Sequence, residues 1–176
     1  LLRRGHAAVL LRDERGLGFF ADDIVAQLIK ETVLEFQHLA EEKSITIING
    51  CSDTPEPIMY LMDLRLMKRA LGNLISNAIK YSDEGKQVKI RVEQAADVIH
   101  ILISDQGMGI AENDLVHIFD RFYRASVVEA AAVEGTGLGL SIVKSIIEQH
   151  HGSITVESTL SVGTTFHIHL KIFDSS

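Results

Sequence analysis

The sequence predicts an α+β fold: a two-layer α/β sandwich in which a mixed, mostly antiparallel sheet carries helices on one face. Two pairs of alternating segments predict the sheet, 87–94 with 98–105 and 153–158 with 164–172. Three segments with helical apolar spacing, 22–43, 63–81 and 138–150, predict the layer that covers it. The balance of 46% hydrophobic and 23% charged residues over 176 positions is ordinary for one globular domain with a buried core.

In the first helix, Ile24, Val25, Leu28, Ile29, Val33, Phe36 and Leu39 recur at helical spacing, with Asp22 as a possible N-cap. The stretch SITIING, 44–50, alternates like a strand and stops at Asn-Gly. A loop holding Pro55 and Pro57 leads to a long helix opened by Asp63. The hairpin 87–105 turns through AAD, and 112–118 reads as a short helix. Residues 125–134, ASVVEAAAVE, are read as the least structured stretch. The last helix stops before Gly152, and the second hairpin turns around 161–163.

Composition excludes several classes. A net charge of -7 argues against a nucleic-acid binder, which needs clustered Lys and Arg for phosphate contacts. The single cysteine, Cys51, excludes an internal disulfide and a zinc spacing, so a reducing compartment is expected. No apolar run approaches the roughly 18 residues of a membrane span, and no signal peptide is visible, so no direct membrane contact is expected.

Four stretches carry chemistry. On the helix 63–81, Met67, Leu71, Leu74 and Ala78 form a core stripe, while Asn73, Asn77 and then Lys80 or Tyr81 share another face. That face is either a solvated surface or a site. An amide oxygen is a hard ligand for Mg²⁺, and a lysine one turn on can meet a phosphate. In SDQGMGIAEND, Asp105 ends a strand before Gly107 and Gly109. It is either a turn cap or a carboxylate that accepts the amino hydrogen of adenine. In FDRFYR, Phe119 and Phe122 have core spacing, whereas Arg124 can pair bidentately with phosphate. In EGTGLGLS, Gly135, Gly137 and Gly139 alternate before a helix. This is neither a P-loop nor a G-x-G-x-x-G turn, yet its backbone N–H groups and the following helix N-terminus suit an anion.

In this order, the segments Asn73 to Tyr81, Asp105 to Gly109, Phe119 to Arg124 and Gly135 to Gly139 resemble the N box, first glycine box, F box and second glycine box of sensor histidine kinases. Gly163 to Thr165 is similar to their final Gly-Thr element. The resemblance implies the Bergerat-type ATP-binding fold shared with gyrase-type ATPases, heat-shock chaperones and mismatch-repair ATPases. It implies ATP and Mg²⁺ as ligands, with Asn77 on the metal and Asn73 supporting the phosphates. Lys80 and Arg124 would contact phosphate, Tyr81 would lie against the purine, and Asp105 would recognise its amino group. Thr165 would back Asp105 through water, and Ile110 and Leu138 would line the pocket. Gly107, Gly109, Tyr123, Gly135, Thr136, Gly137, Gly139 and Leu140 complete the expected cofactor contacts. Residues 1–20 would be the end of a preceding helical dimerisation segment or a linker. The catalytic domain would run over 21–174, with a lid at about 110–138.

The family phosphorylates a histidine followed by an acidic residue or Asn, with a proline a few positions on. None of the eight histidines fits; His6 is followed by AAVL, and His167 and His169 alternate on a strand where solvent exposure is expected. The resemblance therefore implies a catalytic domain whose partners are the phosphoacceptor (dimerisation) domain of the same parent and a downstream response regulator receiver domain. A cytoplasmic location is expected, compatible with a parent anchored in the inner membrane. Two other readings stand beside it: a gyrase or mismatch-repair-type ATPase, and a non-catalytic nucleotide-binding interaction module. The ATPases carry a glutamate general base where this chain has Asn73, and Asn cannot take a proton.

Overall fold

The computed structural model describes residues 11–12, 18–19, 24–50, 60, 62–95, 97–131 and 135–172. The expected cap at Asp22, the loop with Pro55 and Pro57, Cys51 and His6 lie outside the described residues. In chain order the elements are β1 (Leu11–Arg12), β2 (Gly18–Phe19), α1 (Ile24–Glu42), β3 (Thr46–Asn49), α2 (Leu64–Lys80), β4 (Gln87–Ala95) and β5 (Val98–Asp105). There follow α3 (Glu112–Leu115), α4 (Ser126–Ala130), α5 (Gly139–Gln149), β6 (Ser153–Thr159) and β7 (Gly163–Lys171).

Five strands form the main sheet in the order β3-β4-β5-β7-β6. Only β3 and β4 pair in parallel, and α2 is the crossover that a parallel connection requires. The other three pairings are antiparallel, two of them the predicted hairpins. Within 1–20, β1 and β2 pair with each other as a separate two-stranded ladder, so the described residues there are strand rather than helix.

Period-2 alternation puts Val88, Ile90 and Val92, Ile99, Ile101 and Ile103, and Phe166, Ile168 and Leu170 on one buried face. Against them pack Met67, Leu71, Leu74 and Ala78, the predicted stripe of α2, with Val143, Ile146 and Ile147 of α5. From α1 come Val25, Leu28, Ile29 and Val33, while Phe36 is half-buried and Leu39 is exposed. On the opposite face, His100 stacks on His169 and His167, with ring centroids 4.2 and 5.3 Å away. The expected exposure of His167 and His169 is therefore corrected: cross-strand register brings three imidazoles together, and His167 retains 16% side-chain exposure. Burial and the neighbouring imidazoles hold His100 below its ordinary pKa.

Both ends of α2, which carries the polar stripe, are fastened. Asp63 caps its start, accepting from the N–H groups of Arg65 and Leu66 at 3.0 Å each. The Asp63 N–H in turn donates to His150 Nε2 at 2.9 Å, tying that start to the end of α5. At the other end, Lys43 Nζ donates to the carbonyls of Ile79, Lys80 and Ser82 at 3.0, 3.0 and 2.7 Å. An ammonium on the last carbonyls of a helix satisfies orphan acceptors and complements the dipole. Lys43→Met, which keeps the aliphatic stem, is expected to destabilise the domain by about 1–3 kcal/mol in denaturant unfolding. A loss within error would show that water replaces the ammonium at no cost.

Candidate functional site

The polar stripe of α2, the turn after β5 and the loop before α5 meet around a cavity of about 240 Å³. Asn73, Asn77, Lys80 and Tyr81 line one side because they lie on the α2 face turned away from the core stripe. Lys80 Nζ stands 5.5 Å from the centroid of the Tyr81 ring. Burial raises the Tyr81 phenol above its ordinary pKa, opposed by the nearby Arg124 guanidinium.

Asp105 closes the sheet end of the cavity. Its Oδ1 accepts from the Gly107 N–H at 2.8 Å and the Thr164 N–H at 3.1 Å. Burial pushes this carboxyl above the usual carboxylate range, and the two backbone bonds pull it back only in part. Among the described residues both bonds fall on Oδ1, so Oδ2 is available to a hydrogen-bond donor in the cavity. Met108, Gly109 and Ile110 continue the wall, and the Ile110 N–H donates to Ser158 Oγ at 2.8 Å.

The glycine loop lies on the α2 stripe. A Cβ on Gly135 would sit 3.6 Å from Lys80 Nζ, and one on Gly139 3.6 Å from Asn73 Oδ1. Gly137 has φ +70°, and a Cβ there would meet the Phe122 backbone carbonyl carbon at 2.6 Å; the Phe122 N–H donates to the Gly137 carbonyl at 2.9 Å. Beyond the loop α5 starts with Leu138 at its N-cap, whose N–H donates to Thr136 Oγ1 at 3.4 Å; the N–H groups of the first turn, Gly139 to Ser141, receive no cap bond from the Leu138 side chain. Those groups and the positive end of the helix dipole are presented where the loop meets Asn73, an arrangement that suits an anion.

Fourteen of the seventeen predicted contact residues line this cavity: Asn73, Asn77, Lys80, Tyr81, Asp105, Gly109, Ile110, Tyr123, Arg124, Gly135, Thr136, Gly137, Gly139 and Leu140. The other three do not. Gly107 is buried behind Asp105 and against Tyr81. Leu138 lines the adjoining groove between α1, α2 and α5. Thr165 points to the far face of the sheet and pairs with Ser104 Oγ at 2.9 Å, while Thr164 faces the cavity and bonds to Asp105. The parity of β7 held that signal, because Thr164 shares the face of Phe166, Ile168 and Leu170. Met108, Ile118, Ala125, Val128 and Phe166 also line the cavity. Ala125 and Val128 belong to α4 and its cap, where the sequence predicts irregular chain; both are 8% exposed.

Residues 62–173 match the profile of the family described as histidine kinase-, DNA gyrase B-, and HSP90-like ATPase. The heme sensor protein HssS of Staphylococcus saprophyticus is 40% identical over 153 residues, covering 86% of this chain and 32% of its own length. The sensor-like histidine kinase SenX3 of Mycolicibacterium smegmatis is 37% identical over 142 residues, 81% of this chain and 36% of its own. The chain thus spans about a third of these relatives. Among solved structures, a mycobacterial sensor histidine kinase, MprB, superposes with TM-score 0.72 at 26% identity, over 84% of this chain and 95% of its own. The catalytic domain of the histidine kinase ThkA, nucleotide free, also gives TM-score 0.72, at 27% identity over 87% of this chain and 95% of its own. The chain belongs to the family of histidine kinase-, gyrase- and HSP90-like ATPases, and within it matches the ATP-binding catalytic domain of sensor histidine kinases.

Proposed function

We propose that this domain holds Mg-ATP in the cavity and passes its γ-phosphoryl group to a histidine of a separate dimerisation domain in the same parent protein. The observation that carries the reading is the polarity of the cavity: Asp105 is the only carboxylate among its described lining residues, and it lies at the sheet end. Where the glycine loop meets α2 the groups are Asn73, Asn77, Lys80 and the start of α5, none of which can deprotonate an attacking water. An imidazole nitrogen needs no such base, so positioning and charge neutralisation suffice for transfer to histidine. An ATPase of the gyrase kind, which needs a carboxylate base there, fits the site less well.

Asp105 Oδ2 would accept the exocyclic amino hydrogen of adenine, with Ile110 and Met108 against the ring. Lys80, Arg124 and the N–H groups at the start of α5 would hold the phosphates. The donor set suits a hard divalent cation held mainly by phosphate oxygens: amide oxygens of Asn77 and Asn73 are present, and the described residues contain no cluster of three His, Cys, Asp or Glu ligands. Mg²⁺ would neutralise charge on the phosphates when bound. A response regulator receiver domain would take the phosphoryl group onward. The reading places the domain in the cytoplasm, and among the described residues no helix is long and apolar enough to cross a membrane.

Asn77→Ala should abolish Mg²⁺-dependent binding of a non-hydrolysable ATP analogue in calorimetric titration while the melting temperature holds, because Asn77 is outside the core stripe. Binding that persists in Mg²⁺ would remove Asn77 from the metal site.

Asp105→Asn should weaken ATP by about 1–3 kcal/mol and erode the preference over GTP, whose guanine presents a carbonyl in place of the amino group. It should not lower the stability of the nucleotide-free domain, since an amide oxygen still accepts from Gly107 and Thr164. The folded pKa of Asp105 is raised, so its contribution to stability is full below the unfolded pKa and is lost as pH rises through the folded value. Above that window the variant should melt at or above the wild-type temperature. A variant with lower stability and intact affinity would make Asp105 a turn cap.

Alone with Mg-ATP the chain should release little phosphate and carry no label. Mixed with a separately made dimerisation domain bearing the acceptor histidine, it should produce an acid-labile, base-stable phosphoprotein. Brisk ATP hydrolysis by the chain alone would overturn the kinase reading.

A further inference from the structure

Asp114 stands apart on the short helix α3: its neighbours Glu112 and Asn113 are exposed, yet Asp114 is 7% exposed. A carboxylate removed from water at a surface is tolerated when its oxygens are satisfied by hydrogen bonds. Oδ1 accepts from the Tyr123 hydroxyl at 2.7 Å, and Oδ2 accepts from the Ser126 N–H at 2.9 Å and the Ser126 hydroxyl at 2.7 Å. All three donors belong to residues 123–126, so one carboxylate grips that segment at both ends, and Arg124 and Ala125 form the bridge between the grips. Ser126 is also the first residue of α4, whose cap residue, Ala125, has no side chain to bond the helix start. Asp114 supplies that bond from another helix.

We propose that Asp114 is a positioning residue for the phosphate end of the site: it fixes segment 123–126 so that Arg124 and the α4 wall, Ala125 and Val128, stand at the cavity before a nucleotide arrives. This rests on reading the cavity as the nucleotide site. The lid is pinned again on its far side, where the Phe122 N–H donates to the Gly137 carbonyl. The three hydrogen bonds hold Asp114 below the usual carboxylate range, and the bond to Asp114 raises the Tyr123 phenol, so acceptor and donor keep their roles through neutral pH. Order without ligand matters energetically, because a phosphate contact whose side chain is already placed loses less conformational freedom on binding.

The test titrates this chain with a non-hydrolysable ATP analogue and Mg²⁺, in wild type, Asp114→Ala, Asp114→Asn, Ser126→Ala and the Asp114→Ala/Ser126→Ala pair. Asp114→Ala is expected to weaken binding about tenfold, the scale of a lost hydrogen bond to a charged group, and Ser126→Ala about threefold. In the pair, Ser126→Ala should add nothing, because both changes cut the same connection. Hydrogen exchange without nucleotide should show amides 123–130 opening faster in Asp114→Ala while the strands β5 and β7 stay protected. A merely structural role would lower the melting temperature and leave the affinity of the folded fraction unchanged. Unchanged affinity in Asp114→Ala, with a wild type that binds, overturns this inference alone; if Asp114→Ala does not fold, unchanged affinity in Asp114→Asn overturns it. A wild type that binds no nucleotide overturns the functional reading instead. Exchange then decides the grip by itself, and unaltered protection of 123–126 in Asp114→Ala would overturn that too.

Discussion

The site depends on how tightly the turn after β5 is wedged between the end of α2 and the β6–β7 turn. A Cβ on Gly107 would lie 2.4 Å from the Tyr81 carbonyl oxygen, and one on Gly109 2.1 Å from that of Thr159, distances no side chain can occupy. Backbone bonds fill the space instead: the Met108 N–H donates to the Tyr81 carbonyl at 3.1 Å, and the Ser161 N–H to the Met108 carbonyl at 2.8 Å. Ser158 Oγ then donates to the Gly163 carbonyl at 2.8 Å, closing the row on β7. One chain of hydrogen bonds therefore runs from α2, with Lys80 and Tyr81, through the turn below Asp105 to the hairpin that carries Thr164. The Asp105 end and the Lys80 end of the cavity are spaced by backbone, which cannot choose another rotamer.

The wall formed by residues 119–128 is built on the opposite principle. Phe122 adopts φ 65°, a conformation that costs a bulky residue energy, and leaves its ring 71% exposed. Its partner in the predicted aromatic pair behaves otherwise: Phe119 is half-buried, edge-on to Phe166 with centroids 6.3 Å apart. The strained turn is what aims the Phe122 N–H at the Gly137 carbonyl, so local strain is exchanged for a join between the F box and the glycine loop. The rest of this wall hangs on Asp114 and on Ala125 and Val128. This wall thus rests on three side-chain hydrogen bonds and two small buried residues, where α2 and the sheet rest on the main core.

What the sequence made legible follows from periodicity. Met67, Leu71, Leu74 and Ala78 repeat as a helix must to bury one stripe, and the polar residues left over, Asn73, Asn77 and Lys80, are thereby forced onto another face. Asp105 at the end of an alternating strand is legible either as a turn cap or as a ligand carboxylate, and its Oδ1 does cap the turn, accepting from Gly107 and Thr164. Thr165 was off by one residue, and on a strand one residue is the whole difference between the two faces. The imidazole stack of His100, His167 and His169 required the register of β5 against β7, which sequence spacing within either strand does not contain. The helix α4 was hidden for a similar reason. Its five residues have no local cap, and the bond that starts it comes from Asp114, on a separate helix.

The charge of the molecule and the charge of its site point in opposite directions. With a net charge of -7, the chain as a whole repels a nucleotide triphosphate at long range. Attraction has to come from groups close enough to be unscreened: Lys80, Arg124 and the N–H groups of the first turn of α5, gathered where the glycine loop crosses α2. Asp105, the one carboxylate of the described cavity lining, is held at the far end by Gly107 and Thr164, where the cavity offers an acceptor instead of a cation. A ligand that is anionic at one end and donates hydrogen bonds at the other fits only one way round. The cavity therefore selects orientation before it selects identity: an anionic end belongs with Lys80, Arg124 and the start of α5, and a donor end with Asp105.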